Sequence, residues 1–99
     1  MNQERCDGKG IIGRYFVITG KLFYMTRTMA AQLIQTYGGS FQPQVTKSTN
    51  YLVVGFIRDN RCTNKITRAR MLQTQGHSIT IISQKEFYDM LINEISLNM

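Results

Sequence analysis

Thr19, Gly20 and Lys65 are the residues of this 99-residue chain whose types and spacing best suit chemistry. Thr19 and Gly20 close a short apolar run, Tyr15-Phe16-Val17-Ile18. If that run is a strand of a parallel sheet, the pair lies at the carboxyl edge, outside which open α/β sheets take their ligands. Thr19 offers a hydroxyl donor. Gly20 lets its backbone N–H approach an anion with no Cβ in the way. Lys65 falls in the first turn of a later helix, where its ammonium adds to the partial positive charge of the helix N-terminus. Together they would hold a phosphate. Taken singly, each has an ordinary reading: a strand end, a turn glycine, a solvated helix residue. The expectation rests on their assembly.

Other candidates surround this group. Arg58, Arg61, Lys65, Arg68 and Arg70 form a basic run interrupted by Asp59 alone. Such a run either tracks a nucleic-acid backbone, by contacts that are independent of sequence and sensitive to salt, or is a solvated face. Lys21 could join the same edge, as could Lys47, but the sequence does not place them. Thr19-Gly20-Lys21 is no P-loop, which needs Gly at position 15 and Ser or Thr at 22; Tyr15 and Leu22 stand there. Phe23, Tyr24 and Phe56 fall in loops, where they either stack on exposed bases or pack beneath the chain. His77 has no Ser, Cys or carboxylate at recognisable spacing. Glu86, Asp89 and Glu94 share one helix, Glu86 as a cap and the others on a solvated face. Cys6 and Cys62 form no CxxC pair and have no His at ligand spacing. They read as free thiols, and no metal site is expected. No nucleophile–base pair or cofactor fingerprint is present either, so no catalytic residue and no cofactor is expected.

The elements that must position these residues follow from periodicity. Tyr15–Ile18 and Tyr51-Leu52-Val53-Val54 are continuous apolar runs, as in strands buried on both faces. Gly20 and Gly55 end them. Ser40-Phe41 begins a short strand, and Pro43 marks it as an edge or a break. Ser78 to Ile82 is a fourth. Between the first two strands, Thr26 caps a helix with an apolar stripe of Met29, Ala30, Leu33, Ile34 and Tyr37. Gly38-Gly39 stops it, one glycine taking the left-handed position and the other letting the chain turn. Thr63 or Asn64 caps a second helix, apolar at Ile66, Ala69 and Leu72 and ended by Gly76. Ser83 opens the third: Ser83 and Glu86 make a capping box, and Ile82 and Phe87 hold the staple positions. Its stripe is Phe87, Met90, Leu91 and Ile95. The order β-α-β-β-α-β-α describes an α/β protein with a mainly parallel four-stranded sheet covered by helices on both faces.

Composition bounds the rest. The chain has 42% hydrophobic and 18% charged residues, so it reads as one soluble globular domain. Residues 1–10 read as a polar lead-in, 11–95 as the domain and 96–99 as a tail. No apolar run is long enough for a membrane span, and the N-terminus lacks the apolar core of a secretory signal, so a cytoplasmic setting is expected. Net charge is +6, from 12 Lys and Arg against 6 Asp and Glu. The excess favours an anionic partner.

This order, with these residues, resembles the BRCT family from about Gly13 to Leu91. The anchors are Phe16-Val17-Ile18-Thr19-Gly20, Arg27, Gly38-Gly39, Val45-Thr46-Lys47-Ser48-Thr49-Asn50-Tyr51-Leu52-Val53-Val54-Gly55, Lys65, Gly76, Ile82-Ser83 and Glu86-Phe87. Val45 to Gly55 is the most specific piece. The variety is similar to the bacterial-type domain of NAD-dependent DNA ligases and exonuclease-type polymerase III subunits, and to the DNA-binding domain of the replication factor C large subunit. One departure is the missing tryptophan of the third helix: the chain has none, and Phe87 stands in its core role. The resemblance implies a three-layer BRCT fold in which the paired glycines let the first helix and second strand approach closely. It matches Thr19, Gly20 and Lys65 to positions that hold phosphate, and Arg27 to the extra basic residue of the DNA-binding subset. A guanidinium fork suits phosphate oxygens.

The expected function is therefore a non-catalytic binding module of DNA replication and repair. It would recognise DNA with a 5′-phosphate at a nick or duplex end through Thr19, Gly20, Arg27 and Lys65. Lys21, Arg58, Arg61, Arg68 and Arg70 would lie along the backbone, and Gly38, Gly39, Gly76 and Phe87 would serve the structure. The alternative is a protein-interaction module that recruits replication or repair proteins, through a phosphopeptide in the same pocket or without phosphate.

Overall fold

The computed structural model describes residues 10–58 and 63–97. Arg61, Cys6 and Cys62 lie outside them. The elements run β1 (Tyr15–Thr19), α1 (Arg27–Thr36), β2 (Ser40–Phe41), β3 (Tyr51–Val54), α2 (Asn64–Thr74), β4 (Thr80–Ser83) and α3 (Gln84–Leu97). The four strands form one sheet in the order β2-β1-β3-β4, and every pairing is parallel. β2, just before Pro43, is an edge as expected.

β1 and β3 occupy the centre and are buried on both faces, which is why their sequences show no alternation. Phe16, Ile18 and Val53 face one way, into a cluster with Ala30 and Ile34 of α1 and Phe87 and Leu91 of α3. Val17 and Leu52 face the other, against Ile66, Ala69 and Leu72 of α2. The result is three layers, with α1 and α3 on one face of the sheet and α2 on the other. Phe87 is fully buried beneath Phe16, ring centroids 6.0 Å apart, and holds the core position expected of it.

The helix ends explain most of the boundaries. Thr26 Oγ1 accepts from Met29 N–H at 3.1 Å, and Thr63 Oγ1 from Ile66 N–H at 3.3 Å. At α3 the capping box is reciprocal: Ser83 N–H donates to Glu86 Oε1 at 2.8 Å, and Glu86 N–H to Ser83 Oγ at 3.1 Å. α1 closes in a Schellman motif, Gly39 N–H on Ile34 C=O and Gly38 N–H on Gln35 C=O, with Gly38 at φ +89°. α2 repeats it through His77 and Gly76. Gly39 has a second duty. A Cβ there would stand 2.8 Å from Ile34 Cγ2 and 2.9 Å from Ile11 O.

Three expectations need correction. β4 begins at Thr80, not Ser78, because the α2 turn still holds the chain: His77 N–H bonds Leu72 C=O and Ile79 N–H bonds His77 C=O. Met29 is 49% exposed and leaves the α1 stripe to Ala30 and Ile34. Ile95 is 42% exposed. α3, with 14 residues, is about 21 Å long, whereas the 4-residue β4 before it spans about 13 Å. The helix continues to Leu97.

Candidate functional site

β1 and β3 end side by side, Thr19 opposite Val54, and the segments leaving them stay joined. Gly55 N–H donates to Thr19 C=O at 2.8 Å. Lys21 and Phe56 exchange both backbone bonds, at 2.9 and 2.8 Å, in an isolated antiparallel bridge. The approach leaves no room for a side chain at Gly55, where a Cβ would sit 2.4 Å from Lys21 O. Gly20 turns the chain between strand and bridge at φ +82°, a left-handed conformation that glycine adopts without strain.

Helix α2 starts directly over this edge. The buried Thr19 donates its hydroxyl to Thr63 Oγ1 at 2.9 Å, so strand end and helix cap are tied together. Lys65, the second residue of α2, reaches back across the strand, its Nζ 3.4 Å from Ile18 O. From the opposite face of the sheet comes Arg27, the first residue of α1, whose Nη2 donates to Gly20 C=O at 3.2 Å. Two cations carried by two helices thus meet over β1. Partial burial, and then the nearby Arg27 charge, lower the Lys65 pKa below its usual 10.5. Among the described residues the acids all lie on α3. Glu86 serves the capping box, Glu94 accepts Ile11 N–H, and Asp89 pairs with Lys85 in an exposed i,i+4 contact. Arg27 and Lys65 bring two positive charges to the edge.

Thr19, Gly20, Arg27 and Lys65 are therefore neighbours, although the sequence spreads them over three elements and a turn. Lys21 is exposed beside Gly20, and Arg58 is exposed two residues beyond Phe56, the bridge partner of Lys21. Arg68 and Arg70 are carried further along α2. Arg70 is exposed, while Arg68 Nε donates to Val45 C=O at 3.2 Å and so ties the helix to the β2–β3 connection. Lys47 sits in the turn before Asn50, whose carboxamide accepts Tyr15 N–H at the start of β1; that is the opposite edge. Thr63 was named only as a cap, and its contact with Thr19 spans too many residues for any local pattern to reveal. Phe23, Tyr24 and Phe56 do not pack beneath the loops. All three are exposed next to the cations.

Comparison with known proteins bears on the family. The family model for the BRCA1 C Terminus (BRCT) domain matches residues 13–91. A DNA ligase of Clostridium kluyveri is 34% identical over 89 residues, covering 90% of this chain and 12% of the ligase. A DNA ligase of Petrotoga mobilis is 37% identical over 89 residues, covering 88% and 12%. One of Dehalococcoides mccartyi is 39% identical over 79 residues, covering 80% and 10%. The chain thus spans about an eighth or less of the length of these relatives. With the family model spanning most of the chain, and a parallel four-stranded sheet between helices, the protein belongs to the BRCT domain family.

Proposed function

We propose that this BRCT domain is a non-catalytic DNA-binding module that takes the 5′-phosphate of a nick or duplex end at the carboxyl edge of its sheet. The observation that carries the reading is the convergence of Arg27 and Lys65 over β1, with every described acid engaged on α3. Two like charges held together, one of them partly desolvated, raise the energy of the unliganded site. A phosphate relieves both costs. Its oxygens would take the Gly20 N–H, the remaining donors of the Lys65 ammonium and the Arg27 fork. Thr19 would turn its hydroxyl from Thr63 toward the ligand. Lys21 and Arg58 would lie along the flanking backbone, with Arg61 and Arg70 extending the contact. The ligases it resembles act on DNA, and a module of this kind would position a catalytic unit carried elsewhere.

The test is binding to a labelled duplex with a recessed 5′ end, with and without the phosphate. Wild type should prefer the phosphorylated end by about tenfold or more, the range of a charge-assisted hydrogen bond. Lys65→Ala should erase the preference. Binding should also fall steeply with salt as counterions are released. Equal, weak binding of both duplexes, unchanged in the variant, would exclude the DNA-end reading. The same pocket would then be tried with phosphopeptides and with replication and repair proteins.

A further inference from the structure

Beside the cationic edge stand aromatic side chains in solvent: Phe23 is 47% exposed, Phe56 54% and Tyr24 92%. They form one group. Phe23 and Phe56 are 6.0 Å apart between ring centroids and 31° from parallel, and Tyr24 meets Phe23 edge-on at 6.5 Å. The group is held from below by α3. Phe23 N–H donates to Gln84 Oε1 at 2.9 Å, the Tyr88 hydroxyl donates to Phe23 C=O, and the Tyr88 ring supports Tyr24 at 6.1 Å. Tyr24 has a left-handed backbone, φ +76°, the one non-glycine residue among those described to do so. A bulky side chain in that region is strained and persists only where its surroundings impose it. The loop thus fixes an aromatic ring outward, where hydrophobic burial gains nothing.

We propose that Phe23, Tyr24 and Phe56 are a stacking platform for the nucleobase at the DNA end whose phosphate lies on the cationic edge. The inference rests on the anion-site reading and adds the part of the ligand next to the phosphate. Two observations favour a base over a protein surface. The platform is continuous with the cations: Phe56 pairs through its backbone with Lys21, and Gly20 and Phe23 are close enough in sequence that their Cα atoms lie within about 11 Å. Among the described residues, those beside it in the chain are Lys21 and Arg58, not acids. A nucleotide offers an anion and a flat π face within that span, and stacking of this kind is indifferent to base identity.

The experiment uses the full chain and duplexes with a recessed, phosphorylated 5′ end. The terminal 5′ nucleotide carries either 2-aminopurine or an abasic site. Wild type should quench the 2-aminopurine and lose about 5- to 20-fold in affinity for the abasic end, the scale of one lost base stack. Tyr24→Ala and Phe56→Ala should bind the intact end as weakly as wild type binds the abasic one, yet keep the preference for 5′-phosphate over 5′-hydroxyl. Tyr24→Asn, which suits the left-handed backbone, guards against loss through misfolding and should behave like Tyr24→Ala. A wild-type chain that ignores the phosphate overturns the anion site and the platform together. One that reads the phosphate but binds abasic and intact ends equally overturns the platform alone, and leaves the aromatic surface to a protein.

Discussion

The two edges of the sheet are built on opposite terms. At the amino edge Gln42, Thr46, Thr49 and Asn50 find their partners locally. Asn50 exchanges bonds with Tyr15, its N–H on Tyr15 C=O at 2.9 Å and its Oδ1 accepting Tyr15 N–H at 2.7 Å. The buried Thr49 hydroxyl donates to Gln42 Oε1 at 2.6 Å and accepts Thr46 N–H at 2.9 Å, and Thr46 Oγ1 accepts Ser48 N–H. At the carboxyl edge, Arg27 and Lys65 hold single backbone carbonyls at 3.2 and 3.4 Å and keep donors to spare. The segment most characteristic of the family, Val45 to Gly55, serves mainly the closed edge. Residues scattered from Thr19 to Lys65 make the open one. A recognisable motif and a binding site need not coincide.

The largest effect should come from the closed edge. Gly39→Ala forces a methyl group against Ile34 Cγ2 at 2.8 Å and the Ile11 carbonyl at 2.9 Å, one side chain and one backbone atom in the core. Overpacking of that kind costs about 2–3 kcal/mol, which lowers Tm by roughly 10–20 °C in a domain of this size. Thr49→Val comes next. It leaves Gln42 Oε1 without its donor and Thr46 N–H without its acceptor in a buried turn, a loss of about 1–3 kcal/mol. Calorimetry should show both drops, while the surviving folded protein prefers a 5′-phosphate as strongly as wild type. If Thr49→Val changed that preference, the edges would be coupled and the contrast between them would fail.

Much of the framework was readable because it is local. Ser83 and Glu86, Thr26, Thr63 and the Gly38-Gly39 pair act on neighbours three to five residues away, and their bonds lie where the spacing places them. β4 slipped because Ser78 and Ile79 satisfy a strand pattern while a turn bond from Ile79 N–H to His77 C=O still holds them. Met29 and Ile95 were misplaced since periodicity counts apolar residues but not which of them the neighbouring elements cover. The open edge was readable only in part. Thr19 and Gly20 could be placed from the strand end, and Lys65 from its helix. The approach of Gly55 to Lys21, the Thr19–Thr63 bond and the outward set of Phe23, Tyr24 and Phe56 all depend on chain crossings between distant segments.

The smallest effect tests whether the open edge is kept for a ligand or for the fold. Burial and Arg27 lower the Lys65 pKa, so the folded chain binds that proton less tightly than the unfolded one. Below both pKa values the two states are equally protonated, and the folded state bears the whole penalty. The penalty fades as pH rises from the folded value toward 10.5. Lys65→Met removes the charge and keeps most of the side-chain volume. It should therefore raise Tm at neutral pH, by roughly 1–4 °C for a half-exposed position, with the gain shrinking as pH climbs into the alkaline range. Binding should show the opposite trend. A phosphate raises the Lys65 pKa, so binding takes up a proton between the free and bound values, and wild-type affinity for the phosphorylated end falls across that window while Lys65→Met stays flat. A Tm that drops in Lys65→Met at neutral pH would mean that the contact with Ile18 C=O outweighs the charge penalty. The carboxyl edge would then be closed structure like the amino edge, and its cations would no longer point to a ligand.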